Sequence, residues 1–412
     1  MDFFDLFLYL SMAAGFLMAF SLGANDVANS MAPAVGARAI TVRQAVIIAG
    51  ILTFAGAVFL GANVTATITR GIINPEYITD PKIMILGMFA SLMAASLWVL
   101  LASLTSLPVS STHSIVGSIL GFSLVAGGPN VVNWWVLSGV VASWFISPLL
   151  AGGLAYLIFT HIRKYIFYKK HYLRQARIWA PRWIALTALI VGYSFLYKTP
   201  LGKELEFTRS GAVLATTVIA FIVWLVSRHF VNRLTREMEQ NVEEVEGIFR
   251  RLQIMTASYV ALSHGANDVA NAIGPVAAIY IISRQQVMID TAEIPIFMLV
   301  LGGVGLSMGI ALLGHKVIAT VGNKITTLTH TRGFAVNFST ATTVLVASNL
   351  GMPVSTTHAC VGGVTGVGLA RGFSAVNFGV LFRIMGYWVL TVPIAAFTSI
   401  VIFQILKWIF IY

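Results

Sequence analysis

Charge is what this sequence has least of. Only 10% of its 412 residues are Asp, Glu, Lys or Arg, whereas 58% are hydrophobic. Soluble domains carry about a quarter charged residues. A water-soluble fold of this composition would expose more apolar surface than stays dispersed. The mean hydropathy of +0.86 therefore reads as an all-α chain that crosses a bilayer many times, each crossing taking roughly 20 apolar residues. Cysteine is almost missing as well: Cys360 is alone, which excludes an intramolecular disulfide and a cysteine-based metal cluster. Met1 to Leu10 lacks the basic run of a cleaved signal peptide and holds Asp2 and Asp5 instead, so the first apolar segment is expected to persist. Acidic residues are the scarcer sign, 15 against 26 basic, for a net charge of +11. In a soluble chain that excess would suggest nucleic acid. Here it indicates basic loops held on the cytoplasmic side, and no nucleic-acid partner is expected.

Long apolar runs are what the sequence has most of. Phe3 to Leu22 reads as a first span, followed by a polar break and a short helix ending near Gly36. Ala45 to Leu60, Met84 to Leu104, Trp134 to Phe159, Trp183 to Leu196 and Gly211 to Val226 follow. The second half offers Ile254 to Leu262, a polar break, Ala272 to Ile282, Pro295 to Leu313, Phe334 to Val346 and Phe378 to Ile405. Pro108 to Ala126 and Pro353 to Ala370 are apolar, Gly-rich and short for a crossing. Two loops are basic: His161 to Arg182, with Arg163, Lys164, Lys169, Lys170, Arg174 and Arg177, and Arg228 to Arg251, with Arg233, Arg236 and Arg250. The positive-inside rule puts both in the cytoplasm, with a helical hairpin between them. Glu237, Glu239, Glu243, Glu244 and Glu246 in the second read as one face of a solvated helix.

An internal repeat organises the chain. Gly23-Ala24-Asn25-Asp26-Val27-Ala28-Asn29 recurs identically as Gly265-Ala266-Asn267-Asp268-Val269-Ala270-Asn271, and a proline follows each copy, Pro33 and Pro275. Pro108-Val109-Ser110-Ser111-Thr112-His113 is matched by Pro353-Val354-Ser355-Thr356-Thr357-His358 in the same order. Residues 1–160 and 252–412 are thus two related halves, joined through 161–251.

The first motif puts Gly, Asn and Asp where an apolar helix wants none of them. An Asp near the bilayer centre costs at least about 2.5 kcal/mol on insertion scales, so a partner is implied. The reading is a helix broken at 23–29 and again at 265–271. Free N–H groups on one half-helix would attract an anion, while carbonyls and carboxylates coordinate a cation. Asp26 and Asp268 are candidate cation ligands, and Asn25, Asn29, Asn267 and Asn271 add amides. Helix breaking for packing alone is the bland alternative.

The second motif sets hydroxyls in a row after a proline, a pattern suited to a helix start. Ser110, Ser111 and Thr112, with Ser355, Thr356 and Thr357, form a donor-rich cup for a tetrahedral oxyanion. The Gly-rich tails, Gly117 to Gly128 and Gly362 to Gly372, suit re-entrant hairpins at about 108–127 and 353–370. Ordinary Ser/Thr back-bonding within membrane helices would also explain the hydroxyls. His113 and His358 read as structural hydrogen-bonding groups before proton carriers. Neither Ser stands in a nucleophile elbow, and adjacent Ser and His residues cannot take up nucleophile–base geometry, so no enzyme is expected. No Lys or Arg lies in either motif. An anionic cargo would then be neutralised by cations held at Asp26 and Asp268, which couples the two fluxes by charge.

These paired motifs resemble the inorganic phosphate transporter (PiT) family, over nearly the whole chain. The resemblance implies symport of inorganic phosphate with sodium or protons through two inverted repeats with re-entrant hairpins, about ten to twelve transmembrane segments in all. On this sequence, Asn25, Ser110, Ser111, Thr112, Asn267, Ser355, Thr356 and Thr357 are the expected phosphate ligands. Asp26, Asn29, Asp268 and Asn271 are the expected sodium ligands. Hard oxygen donors favour sodium over protons; proton-coupled uptake of phosphate or of a neutral metal–phosphate is the rival, and a passive anion channel a remoter one. A channel would need basic rings, which the motifs lack. A multi-pass location in the plasma or inner membrane and a homodimer, by analogy, complete the expectation. Inverted halves need an odd number of crossings between them, and the runs above give an even number, so one segment must be re-entrant or divided differently.

Overall fold

The computed structural model describes residues 2–78, 80–105, 107, 109–198, 207–285, 294–321 and 325–412. Pro108, which opens the first hydroxyl motif, lies outside them. The chain forms α1 (Phe3–Gly36), α2 (Val42–Leu60), α3 (Ala62–Arg70), α4 (Pro81–Leu104), α5 (Ser111–Gly127) and α6 (Trp134–Ile162). It continues with α7 (Tyr172–Lys198), α8 (Arg209–Leu234), α9 (Val242–Gln285), α10 (Ile296–Val321), α11 (His330–Asn349), α12 (Thr356–Arg371) and α13 (Phe378–Phe410). Among the described residues β-pairing is limited to an isolated bridge between Ile73 and Val132.

The same local devices start and stop corresponding helices in the two halves. Ser110 caps α5 by accepting from the His113 N–H at 3.3 Å, and Ser355 caps α12 by accepting from His358 N–H at 3.2 Å. Both helices end at a glycine with positive φ, Gly128 at 76° and Gly372 at 123°, backbone geometry that disfavours a side chain. Asn133 and Asn377 then cap α6 and α13, accepting from Val136 N–H at 3.3 Å and Val380 N–H at 3.2 Å. Their own N–H groups donate to Ile72 and Ile325 carbonyls at 2.9 and 3.1 Å. α7 and α8 pack against each other as a hairpin and have no counterpart in this pairing.

Two features depart from the sequence reading. First, the expected breaks at 23–29 and 265–271 are absent: α1 runs unbroken for 34 residues and α9 for 44, with Pro33 and Pro275 inside them. The motif glycines serve helix crossing instead. A Cβ on Gly23 would overlap the Leu306 carbonyl of α10, and one on Gly265 the Thr53 carbonyl of α2. The motif's polar side chains find partners sideways, on neighbouring helices, so the backbone has no need to open. Second, 108–127 and 353–370 do not fold back on themselves; the described part of each contains one helix. The hairpins are instead α4 with α5 and α11 with α12, and the Ser/Thr motifs sit where the chain turns.

The glycines of α5 and α12 serve contact between the halves. α5 packs on α13, where a Cβ at Gly121 would overlap the Ala396 carbonyl. α12 packs on α6, where a Cβ at Gly366 would overlap the Gly152 carbonyl. Each hydroxyl-tipped helix therefore lies along the last helix of the opposite half.

The basic stretches are also more helical than loops. Arg163–Phe167 is a π-helical turn, Arg174, Arg177 and Arg182 lie on α7, Arg228 and Arg233 on α8, and Arg250 on α9. Among the described residues, eight helices are long and apolar enough to cross a membrane: α1, α2, α4, α6, α7, α8, α10 and α13. α9 and α11 have the length, 44 and 20 residues, but their polar residues lower the hydropathy.

Candidate functional site

The two GANDVAN segments and the two hydroxyl tips meet at one place. Asp26 and Asp268 are completely buried, and the hydroxyls around them are buried too. Ser111 Oγ donates to Asp26 Oδ2 at 2.8 Å, and Thr356 Oγ1 donates to Asp268 Oδ2 at 3.1 Å. Each of these bonds joins a tip to the Asp of its own half.

The next hydroxyl along each tip crosses over. Thr357 Oγ1 accepts from Asn29 Nδ2 at 2.9 Å and lies 3.4 Å from Asp26 Oδ1 as a donor. Thr112 Oγ1 accepts from Asn271 Nδ2 at 3.3 Å. The tips also clasp each other: Thr112 Oγ1 lies 3.1 Å from the Val354 carbonyl and Thr357 Oγ1 3.3 Å from the Val109 carbonyl. Asn29 closes the ring by donating to Asp26 Oδ1 at 3.2 Å.

The halves then differ. Asn25 donates to Ser103 Oγ at 3.2 Å and to the Leu107 carbonyl at 3.3 Å, holding the α4–α5 turn. Asn267 donates to Asp268 Oδ1 at 2.6 Å and to the Val354 carbonyl at 2.7 Å, and accepts from Val354 N–H. Ser110 and Ser355 are the helix caps described above, one step back from the carboxylates. All twelve expected ligands are thus buried in one region, and nine of them lie in the carboxylate–tip contacts; Asn25 holds the α4–α5 turn, and Ser110 and Ser355 shape the helix starts.

One residue was not singled out from the sequence. His264 Nε2 lies 2.8 Å from Asp268 Oδ2, although neither ring nitrogen makes a well-aligned hydrogen bond. Asp26, His264 and Asp268 each offer a ligand atom within 4.8 Å of the others. The signal lay in the repeat: Ser263-His264-Gly265 aligns with Ser21-Leu22-Gly23, so the histidine is a polar mismatch between matching residues. Two carboxylates this close repel by roughly 3–4 kcal/mol if both are ionised at an effective dielectric constant of about 20. Neutralising them requires a cation or protons, and the chain supplies only His264 among these contacts.

A buried pair of carboxylates ringed by hydroxyls is a place for ions, and the comparisons give the family. Residues 22–399 match the phosphate transporter family. The chain belongs to that family. The transporter is 46% identical to a Thermococcus kodakarensis protein named as a putative phosphate permease, over 98% of both chains. It is 37% identical to the chloroplastic inorganic phosphate transporter 2-1 of Arabidopsis thaliana, covering 98% of this chain and 72% of that one. A solved structure described as the sodium-dependent phosphate transporter superposes with a TM-score of 0.93 at 47% identity, covering 98% of this chain and all of the other. The transporter is therefore an all-α, multi-pass membrane protein that carries phosphate, and not an enzyme.

Proposed function

We propose that the transporter takes up inorganic phosphate by sodium symport across a plasma or inner membrane, with two inverted repeats presenting one midplane site to either side in turn. The observation that carries this reading is the convergence of both buried carboxylates with the hydroxyls of both tips. Asp26, Asn29, Asp268 and Asn271 would hold sodium. Asn25, Ser110, Ser111, Thr112, Asn267, Ser355, Thr356 and Thr357 would hold phosphate through neutral donors. Sodium then supplies the positive charge that no Lys or Arg in the motifs provides, so neither ion binds well without the other. The hydroxyls that now donate to the carboxylates would turn to the anion once cations occupy the acids. The oxygen-rich donor set suits a hard cation, and the sodium dependence of the structural relative supports the same choice. In the inverted arrangement the hairpins α4–α5 and α11–α12 are re-entrant, their tips meeting from opposite sides.

The test is uptake of radiolabelled phosphate into proteoliposomes at fixed pH with an inward sodium gradient. Accumulation above the outside concentration is expected with sodium and not with choline. Equal accumulation in choline would overturn sodium coupling, and equilibration without accumulation under any gradient would overturn active transport.

His264 favours a second reading. An imidazole within 4.8 Å of two carboxylates suits a divalent metal or a proton better than it suits sodium. Proton-coupled uptake of phosphate, or of a neutral metal–phosphate, would persist in choline, follow an imposed pH gradient and, for the metal complex, fall on chelation.

A further inference from the structure

Behind the tips, away from the carboxylates, four ring atoms are buried without a partner: Nε2 of His113 and His358, and Nε1 of Trp144 and Trp388. The two histidines are only 4% and 3% exposed. His113 Nδ1 lies 3.1 Å from the Trp388 carbonyl, and His358 Nδ1 lies 2.9 Å from the Trp144 carbonyl. A carbonyl can only accept, so Nδ1 carries the proton in both rings and each Nε2 keeps a bare lone pair. His113 lies over Trp144 with centroids 3.8 Å apart, His358 over Trp388 at 3.6 Å, and the imidazoles meet edge to face at 4.5 Å. Such a doubled, interlocked arrangement leaves two acceptors and two donors unmet in an otherwise apolar setting, a costly state unless something fills it.

The rings line a cavity of about 710 Å³ between α6 and α13. Phe145, Leu149 and Val389 also line it and are strongly exposed, so it opens outward between them. Both helices are long and apolar enough to cross a membrane, and a bilayer around them would put hydrocarbon at that opening. No Asp, Glu, Lys or Arg lines the cavity among the described residues.

We propose that this cavity binds one neutral amphiphile of the bilayer, a long-chain molecule with an uncharged head of two hydroxyls. Each hydroxyl donates to one histidine Nε2 and accepts from one tryptophan Nε1–H, while the chain lies along the apolar walls. A bare anion would leave the imidazole lone pairs unmet, a bare cation would leave the indole N–H groups unmet, and a charged headgroup would find no counter-ion. The volume falls in the range of small-molecule sites, about 300–1,000 Å³. Because His113 and His358 directly follow Thr112 and Thr357, the occupant would brace the back of the same helix starts that present the tip hydroxyls. The proposal does not depend on which cation is coupled.

The full chain is reconstituted in phosphatidylcholine nanodiscs and titrated with a monoacylglycerol whose acyl chain is dibrominated, reading tryptophan fluorescence. Saturable quenching is expected at one molecule per chain, reversed by unbrominated monoolein and lost in the Trp144→Phe, Trp388→Phe double variant. Gly153→Leu should abolish the saturable part, because Gly153 lines the cavity and no atom lies within 4 Å of a Cβ built there. His358→Phe should weaken binding about tenfold, the loss of one acceptor. On the wild-type chain alone, quenching that rises linearly with probe, or that dibromo-phosphatidylcholine reproduces, overturns the proposal. So does a second copy of the chain cross-linked over the α6–α13 opening, or Gly153→Leu that folds and still shows saturable quenching.

Discussion

Ser111 and Asp26 are 85 positions apart in the chain and 2.8 Å apart in the fold, hydroxyl to carboxylate. Thr356 and Asp268 repeat the relationship across 88 positions. The spacing recurs within the molecule because each tip must reach its own acid, whatever happens at the other half.

Asp26→Asn and Asp268→Asn should each keep the shape of the network and remove its charge. Hydrogen bonds to charged groups contribute about 1.5–3 kcal/mol each, so phosphate uptake in proteoliposomes should fall at least about tenfold in either variant. Circular dichroism should stay helical. Unchanged uptake in both variants would sink the assignment of the acids to cation binding.

Thr357 touches Asn29, Asp26 and the opposing Val109 carbonyl at once. Thr357→Ser keeps the hydroxyl and should retain most uptake; Thr357→Val keeps the volume and should lose it. Combining Thr357→Val with Asn29→Ala should be non-additive by roughly 0.5–3 kcal/mol, as for residues of one network. Additive losses in the phosphate half-saturation would show that the two residues act apart.

Gly23→Ala should destabilise the fold, since its methyl would overlap the Leu306 carbonyl. Overpacking of this sort costs typically about 1–3 kcal/mol. Gly50, on α2, has open space where a Cβ would stand, so Gly50→Ala is the matched control and should melt like the parent in detergent. Equal melting temperatures for the two variants would remove the helix-crossing role of the motif glycine.

His264 stands where the first half has Leu22. His264→Leu makes the halves match and strips Asp268 of its 2.8 Å neighbour. Uptake should fall by about tenfold, the scale of one lost interaction with a charged group, while His264→Gln, which keeps an N–H in reach, should retain more. Wild-type rates in His264→Leu would show the histidine to be a bystander.

Much of the site was legible because chemistry repeats where function does. Asp26 and Asp268 stood out as acids in apolar runs, and Ser111 and Thr356 as hydroxyls at helix starts. Their joint appearance in both halves marked them as one machine before any contact was visible. What misled was reading Gly23 and Gly265 as backbone breaks. A glycine in a helix looks the same in sequence whether it frees the backbone or admits a neighbouring carbonyl, and only the position of Leu306 and Thr53 tells the two apart. His264 escaped notice because a single histidine beside a repeat carries no periodicity.

The sequence by itself determined that the chain is membrane-embedded, doubled and built around buried acids, since composition, repeat and the cost of burying charge are all local properties. That the GANDVAN segments stay helical, that the hydroxyl tips lean on the opposite half, and that His113 and His358 share a cavity with Trp144 and Trp388 were decided only in three dimensions. Those relationships join residues up to some hundreds of positions apart, and nothing in local propensity or hydropathy records a distance between them.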